Sequence, residues 1–301
     1  MRVLVEVVRK ARRTVRVSWH GSGRTVESGL LVLVLLGAGA VQAAREPLWE
    51  VALGGGALTL PDYRGAGQSN GYVYPFVLPY YRGDVFKSDE NGIRGLFFES
   101  ERIKLDVSLD GTVPASSSDD PARRGMDDLD PTFQIGPMFR YLLWDREDRN
   151  RSLSLNLPVR AAFAVGSGLQ HIGYTFYPHL TYRQDLDLLG ERWRVRLSGG
   201  PMLGTESHHD YFYRVSSRDA TPGRAAYDPD GGYGGVRMIG TLYHRHKDFL
   251  VNVYAMYDSV DGAVFDDSPL VRRDSGVTFG FLVSWFLFRS DRTVETGGLD
   301  W

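Results

Sequence analysis

The run Ser152-Leu153-Ser154-Leu155-Asn156-Leu157-Pro158-Val159-Arg160-Ala161-Ala162-Phe163-Ala164-Val165 decides the architecture. Its odd positions are all apolar, while Ser152, Ser154, Asn156, Arg160, Ala162 and Ala164 between them are polar or small. A strict period of 2 describes a strand with one apolar and one polar face. Strands of globular sheets average about five or six residues. This one is long enough to cross a membrane as a barrel stave, which takes about 9–11 residues with the apolar side outward.

The pattern recurs through the chain. Phe133, Ile135, Phe139, Tyr141 and Leu143 alternate with Thr132, Gln134, Gly136 and Arg140. Ile103, Leu105, Val107 and Leu109 alternate with Arg102, Lys104, Asp106, Ser108 and Asp110. Tyr174, Phe176, Leu180 and Tyr182 face away from Gly173, Thr175, His179, Thr181 and Arg183. Trp193, Val195, Leu197 and Leu203 do the same against Arg192, Arg194, Arg196, Ser198 and Gly200. No capped stretch of helical period interrupts them, so the fold class is all-β.

Short connections at Arg82-Gly83, Glu99 to Glu101, Asp145 to Asn150, Leu188 to Glu191 and Arg245 to Lys247 alternate with longer ones. The longer ones are Pro61 to Gly71, Pro114 to Asp130, Gly166 to His171, Thr205 to Asp230 and Val260 to Ser275. Counting a hairpin at Glu90-Asn91-Gly92 gives a closed antiparallel transmembrane β-barrel of 12 strands with both ends on the short-turn side; without that hairpin the number is ten. The last strand, Val277 to Leu287 with Phe288 after it, closes against the first, Trp49 to Thr59, which removes sheet edges that hydrocarbon does not tolerate. Trp49, Trp144, Trp193 and Trp285 fall at the short-turn end with Tyr80, Tyr182, Tyr243 and Phe249. Tyr72, Phe133, Phe163, Tyr174, Tyr257 and Phe279 fall at the other. Two such belts are the aromatic girdles of an outer-membrane barrel.

Composition agrees. The 301 residues include 35 Gly, 16 Tyr and no Cys, with 24% charged residues and a mean hydropathy of -0.25. A polytopic helical membrane protein is excluded, and so is a disulfide-stapled scaffold. Arg2, Arg9, Lys10, Arg12, Arg13, Arg16 and Arg24 precede the apolar run Gly29 to Val41, and Val41-Gln42-Ala43 supplies a small-residue exit. Residues 1–43 therefore read as a cleaved signal peptide with a long basic front, 44–288 as the barrel and 289–301 as a polar tail. Cleavage after Ala43 removes seven Lys/Arg from 35 and two Glu from 37 acidic residues, leaving 28 basic and 35 acidic, net -7. Nucleic acid is disfavoured as a partner.

Leu60-Pro61-Asp62-Tyr63-Arg64-Gly65 followed by Pro75-Phe76-Val77-Leu78-Pro79-Tyr80-Tyr81 resembles the opening of the MltA-interacting protein/OmpV family of outer-membrane proteins. Met126-Asp127-Asp128-Leu129-Asp130 with Gly136-Pro137, then Ala225-Ala226-Tyr227-Asp228-Pro229 ahead of Gly231-Gly232, and Asp267-Ser268-Pro269-Leu270-Val271 extend it in order over the mature chain. The resemblance implies a Gram-negative outer-membrane barrel in contact with lipid and lipopolysaccharide, inserted by the barrel assembly machinery. It also implies a non-enzymatic scaffold for a lytic transglycosylase and a murein synthase. Family members usually stop at the aromatic of the last strand, whereas Arg289 to Trp301 continue here; Phe288 and Trp301 both stand as the aromatic read during insertion.

Two further readings come from the residues. Arg102, Lys104, Arg140, Arg160, Arg183, Arg192, Arg194, Arg196 and Arg237 occupy the polar phase of their strands and are candidates to face the lumen. They would either form a structural ion-pair plug or bias a narrow channel toward anions. Gly67-Gln68-Ser69-Asn70-Gly71 matches G-x-S-x-G and suggests a barrel-embedded hydrolase, but no helix follows Ser69 as the nucleophile elbow requires. His208-His209 and His244-x-His246 read as solvated histidines, because no carboxylate of ligand spacing accompanies them. The acidic clusters at Asp119-Asp120, Asp127-Asp128-Asp130, Asp228-Asp230 and Asp266-Asp267 read as turn formers before calcium ligands. No cofactor, metal or catalytic residue is assigned.

Overall fold

The computed structural model describes residues 44–83, 86–89, 92–146 and 151–296; the signal segment 1–43, the hairpin tip Glu90-Asn91 and Trp301 lie outside the described residues. In chain order come β1 (Ala44–Pro47), β2 (Trp49–Pro61), β3 (Ser69–Arg82), β4 (Phe86–Asp89), β5 (Gly92–Glu99), β6 (Ile103–Thr112) and β7 (Thr132–Arg146). They are followed by β8 (Arg151–Val165), β9 (Leu169–Phe176), β10 (His179–Leu188) and β11 (Glu191–Gly204). A short helix, α1 (Glu206–Tyr213), precedes β12 (Gly232–Arg245), β13 (Phe249–Ser259), β14 (Ser275–Arg289) and β15 (Thr293–Thr296).

Thirteen strands make one antiparallel sheet in the order β10-β11-β12-β13-β14-β2-β3-β4-β5-β6-β7-β8-β9. β14 pairs with β2, Gly280 opposite Leu58 through Arg289 opposite Glu50. The two ends of the order are also linked, because β10 pairs with β8 and β9 pairs with β11. β9 and β10 are one run broken at Tyr177-Pro178, where proline has no N–H for the ladder. Gly200 faces that break; a Cβ on it would lie 2.0 Å from the Pro178 carbonyl oxygen, so only glycine fits. β1 and β15 form a separate two-stranded sheet, pairing the chain after Ala43 with part of the polar tail.

Burial is inverted relative to a water-soluble sheet. On β8 the even positions Ser152, Ser154, Asn156, Arg160, Ala162 and Ala164 are buried, and the apolar odd positions are half-buried or exposed. On β14, Phe279, Phe281, Trp285 and Leu287 are each more than half exposed while Thr278 and Ser284 are buried. A soluble fold would hide the opposite set. Bulges adjust the phase near the short turns: the register shift between Phe286 and Phe288 leaves Leu287 and Phe288 both exposed.

The structure corrects sequence expectations about a helix, a connection and the aromatic belts, and it buries His209 and His244, which the sequence reads as solvated. A helix does exist, within the longest connection: His209, Phe212 and Tyr213, spaced three and four apart, bury one face of α1 against other connections. Tertiary burial, not propensity, holds this eight-residue helix. The connection expected from Gly166 to His171 shrinks to Gly166–Gly168, because β9 starts at Leu169. Tyr80 and Tyr243 do not join an exterior aromatic belt; both are buried with Ala52, Leu250 and Phe286 in an interior cluster.

Candidate functional site

The inner face of the sheet and the long connections enclose a cavity of about 500 Å³. Above it, the long connections fold into a cap with its own apolar core. Tyr63, Leu129, Phe212, Tyr213, Val215, Val260, Phe265 and Leu270 are buried together, and the Tyr213 ring stacks on Phe265 at 3.7 Å. Backbone groups in these irregular segments need partners when buried, and arginines supply many of them. Arg123 donates to the Phe212 carbonyl (3.0 Å) and Arg224 to those of Ala122 (2.9 Å) and Asp219 (2.7 Å). The Tyr63 hydroxyl donates to the Leu270 carbonyl at 2.7 Å and lies 3.1 Å from Asp120; burial, then the Asp120 charge, raises its pKa well above the usual phenol range. Burial also pushes His208 down to about 3, and its Nδ1 is buried with no hydrogen-bond partner.

Below the cavity, at the short-turn end, Glu50 is 1% exposed among three arginines. Arg82 approaches to 2.9 Å, Arg245 to 2.5 Å and Arg289 to 3.4 Å. The Arg245 guanidinium lies 4.1 Å from the Phe286 ring centroid, so the ionic group and the apolar cluster make one floor. A buried carboxylate is tolerated because paired donors replace its water.

Between cap and floor the wall is polar. Arg237 grips Asp258 through two bonds at 2.9 and 3.1 Å, and Arg160 bonds Ser108 at 2.8 Å and Asp110 at 3.3 Å. Arg140 pairs with Asp106 at 3.1 Å, Lys104 with Glu99 at 2.9 Å, and Arg194 with Asp185 at 2.8 and 3.2 Å. Arg183 lies 3.8 Å from Asp185 and, like Arg140, Arg160, Arg196 and Arg237, lines the cavity. Arg102 is exposed in the bend before β6, and Arg192 is exposed near the start of β11. Sequence reasoning passed over Arg64, which leaves the cap to reach Asp258 (2.9 Å) and the carbonyls of Gly234 (2.6 Å) and Ser259 (3.1 Å). The following Gly65 has φ of +82°, a conformation that lets the chain turn back there. Glu50 was also missed: a lone acid at a strand start carries no local sign of three distant arginines.

Residues 53–287 match the family described as MltA-interacting protein MipA. The chain belongs to the MipA family. Parts of the stretches quoted above for the resemblance meet in the cap: Tyr63, Leu129 and Leu270 share its core, Tyr227 packs against it, and Ser268 donates to the Tyr213 carbonyl at 2.8 Å. Among solved structures, the outer membrane protein OprG from Pseudomonas aeruginosa is similar at 11% identity, over 80% of this chain and 94% of that one, with a TM-score of 0.23. No curated protein matches.

Of the other candidates in this MipA-family chain, Ser69 opens β3 on an exposed position and is followed by a strand, so the elbow setting is absent. Asp120 accepts from the Ala122 N–H, a turn contact, and Asp128 accepts from the Ser117 N–H across the same connection. Trp49, Trp144 and Trp285 are exposed near the short turns, and Trp193 is half-buried, stacked on His244 at 4.5 Å.

Proposed function

We propose that this chain is a 12-stranded outer-membrane β-barrel, exported behind a cleaved signal peptide, that acts as a non-enzymatic interaction protein rather than as an open pore. The observation that carries this reading is a pair of buried clusters, the apolar cap of the long connections and the Glu50 group near the short turns, which together would obstruct the interior at both ends. An interior built this way contributes rigidity, and the faces left for function are the two rims. The exposed apolar outer face supports contact with membrane lipid, with lipopolysaccharide on the cap side and insertion by the barrel assembly machinery. The family name points to a lytic transglycosylase of the MltA type as a partner, which the short-turn rim would meet together with a murein synthase. Co-purification of a lytic transglycosylase with the intact, solubilised barrel, lost when the β1 and β15 residues are replaced, tests it; no co-purification from crosslinked envelopes contradicts it.

A second reading is supported by the charge of the cavity. Its lining has Arg64, Arg140, Arg160, Arg183, Arg196 and Arg237 against Asp62, Asp110 and Asp258, six cations to three anions. A small anionic solute would be the ligand of a gated channel with that lining. Anion-selective steps in planar bilayers favour this reading, and a silent bilayer favours the scaffold.

A further inference from the structure

Most of the polar residues named above line the cavity, its floor or the cap. One ligand-bearing group lies elsewhere. Glu191 begins β11, His244 is the penultimate residue of β12, and His246 follows it in the turn to β13. Each presents a ligand atom within 4.8 Å of the other two, the one such trio among the described residues.

The fold explains how they meet. His244 and His246 are two apart on an extended segment and therefore share a face. Antiparallel pairing sets Trp193 opposite His244, which carries Glu191 to the same corner; its Oε1 lies 3.6 Å from His246 Nδ1. Local spacing could not reveal this carboxylate, because more than fifty residues separate it from the histidines.

The surroundings also suit a metal. His244 is 5% exposed, and its Nδ1 donates to the Arg192 carbonyl at 2.9 Å. A backbone carbonyl on one imidazole nitrogen fixes the tautomer and aims the other nitrogen, as second-shell carbonyls do around bound metals. Trp193 stacks on the His244 ring and Phe249 on the His246 ring, at 4.5 and 5.3 Å, so both imidazoles are held by aromatic faces. His246 and Glu191 are about half exposed, so they can close in and a solvent molecule can complete the shell. Ligands at about 2.0–2.1 Å in a tetrahedron stand about 3.3 Å apart, so closure needs only rotamer changes in the two exposed residues.

We propose that Glu191, His244 and His246 form a binding site for a divalent transition metal of the Zn²⁺ class, with at least one coordination position open to solvent. Two imidazoles and one carboxylate select Zn²⁺, Ni²⁺ or Cu²⁺ over Mg²⁺ and Ca²⁺, which prefer all-oxygen shells. Bound there, the ion joins β11 to the β12–β13 turn from outside the cavity, independently of the cap and of the scaffold role.

The test uses untagged full-length barrel in detergent, stripped with chelator, folded by its heat-modifiable migration, and titrated with Zn²⁺ and with Co²⁺. The expected result is one ion per chain, with visible Co²⁺ absorption of a four- or five-coordinate site. His244→Ala and His246→Ala each weaken binding at least tenfold, and Glu191→Gln weakens it less, all with unchanged gel migration. His171→Ala, a histidine on the outer face of β9, leaves binding unchanged. Substoichiometric Zn²⁺, binding untouched by the His244 and His246 substitutions, or displacement by millimolar Mg²⁺ or Ca²⁺ overturns the proposal.

Discussion

The long connections and the strands beneath them place apolar side chains on opposite sides. In the cap, Phe265, Leu270 and Val260 turn inward and nearly vanish from the surface, as in any water-soluble core. In the wall, Phe279, Phe281 and Leu287 turn outward and stay more than half exposed, while Ser284, Asp106 and Lys104 are hidden. One chain thus answers to two solvents. The connections obey water, and the wall has the polarity expected where hydrocarbon lies outside and a hydrogen-bonded interior lies within. Each region should fail under a different insult.

The largest effect is expected at the ionic floor. Glu50→Ala strips the shared carboxylate from Arg82, Arg245 and Arg289, and breaking such a buried group costs about 3–5 kcal/mol. The temperature at which the folded band converts to the unfolded one on a gel should fall markedly; no change would mean that the wall does not depend on its buried charges. Phe265→Ala removes a buried ring from the cap at a cost of about 3–4 kcal/mol. That loss should stay local, speeding proteolytic nicking in the connections while the folded band persists. Loss of the folded band instead would merge the two regions into one cooperative unit. Phe281→Arg puts a charge on the outer face of the wall and should cost about 2–4 kcal/mol if that face meets the membrane interior. It should reduce folding into lipid vesicles and leave cap proteolysis unchanged.

Acid should separate the regions more gently. Burial holds His208 neutral with a folded pKa near 3 against an ordinary value of 6.5, so below pH 6.5 the unfolded cap takes up a proton that the folded cap refuses. The part of the cap's stability that depends on neutral His208 is complete above pH 6.5 and declines as pH falls from there toward 3. Hydrogen exchange at pH 7 and pH 5 should show cap amides opening faster than wall amides after correction for intrinsic rates. His208→Gln should flatten that difference. The smallest effect is expected at Ser284, fully buried with no partner for its hydroxyl; Ser284→Ala should shift stability by less than about 1 kcal/mol.

The wall was legible in the sequence because alternation is a local signal: Leu153 to Val165 state their faces without reference to any other strand. The same rule put Arg140, Arg160, Arg183 and Arg237 on one polar phase, and all four line the cavity, whereas Arg102 and Arg192, at strand ends, are exposed. The cap was not legible, since α1 is too short for its period to stand out and is held by residues from three other connections. Tyr63, Leu129 and Leu270 were visible as family motifs, but their meeting in one core depends on contacts up to 207 positions apart. The Glu50 cluster and the Glu191 trio share that limit, because strand pairing rather than spacing assembles them.

The absence of cysteine makes the central claim, an inside-out wall in a membrane, directly measurable. Single cysteines at Leu153, Ser154, Leu155, Asn156 and Leu157, spin-labelled in lipid vesicles, report collision with oxygen, which concentrates in lipid, and with a water-soluble nickel chelate. Labels at 153, 155 and 157 should collide strongly with oxygen and weakly with the chelate, and those at 154 and 156 should be shielded from oxygen. Chelate access at the odd positions, or no alternation along the strand, would contradict the account.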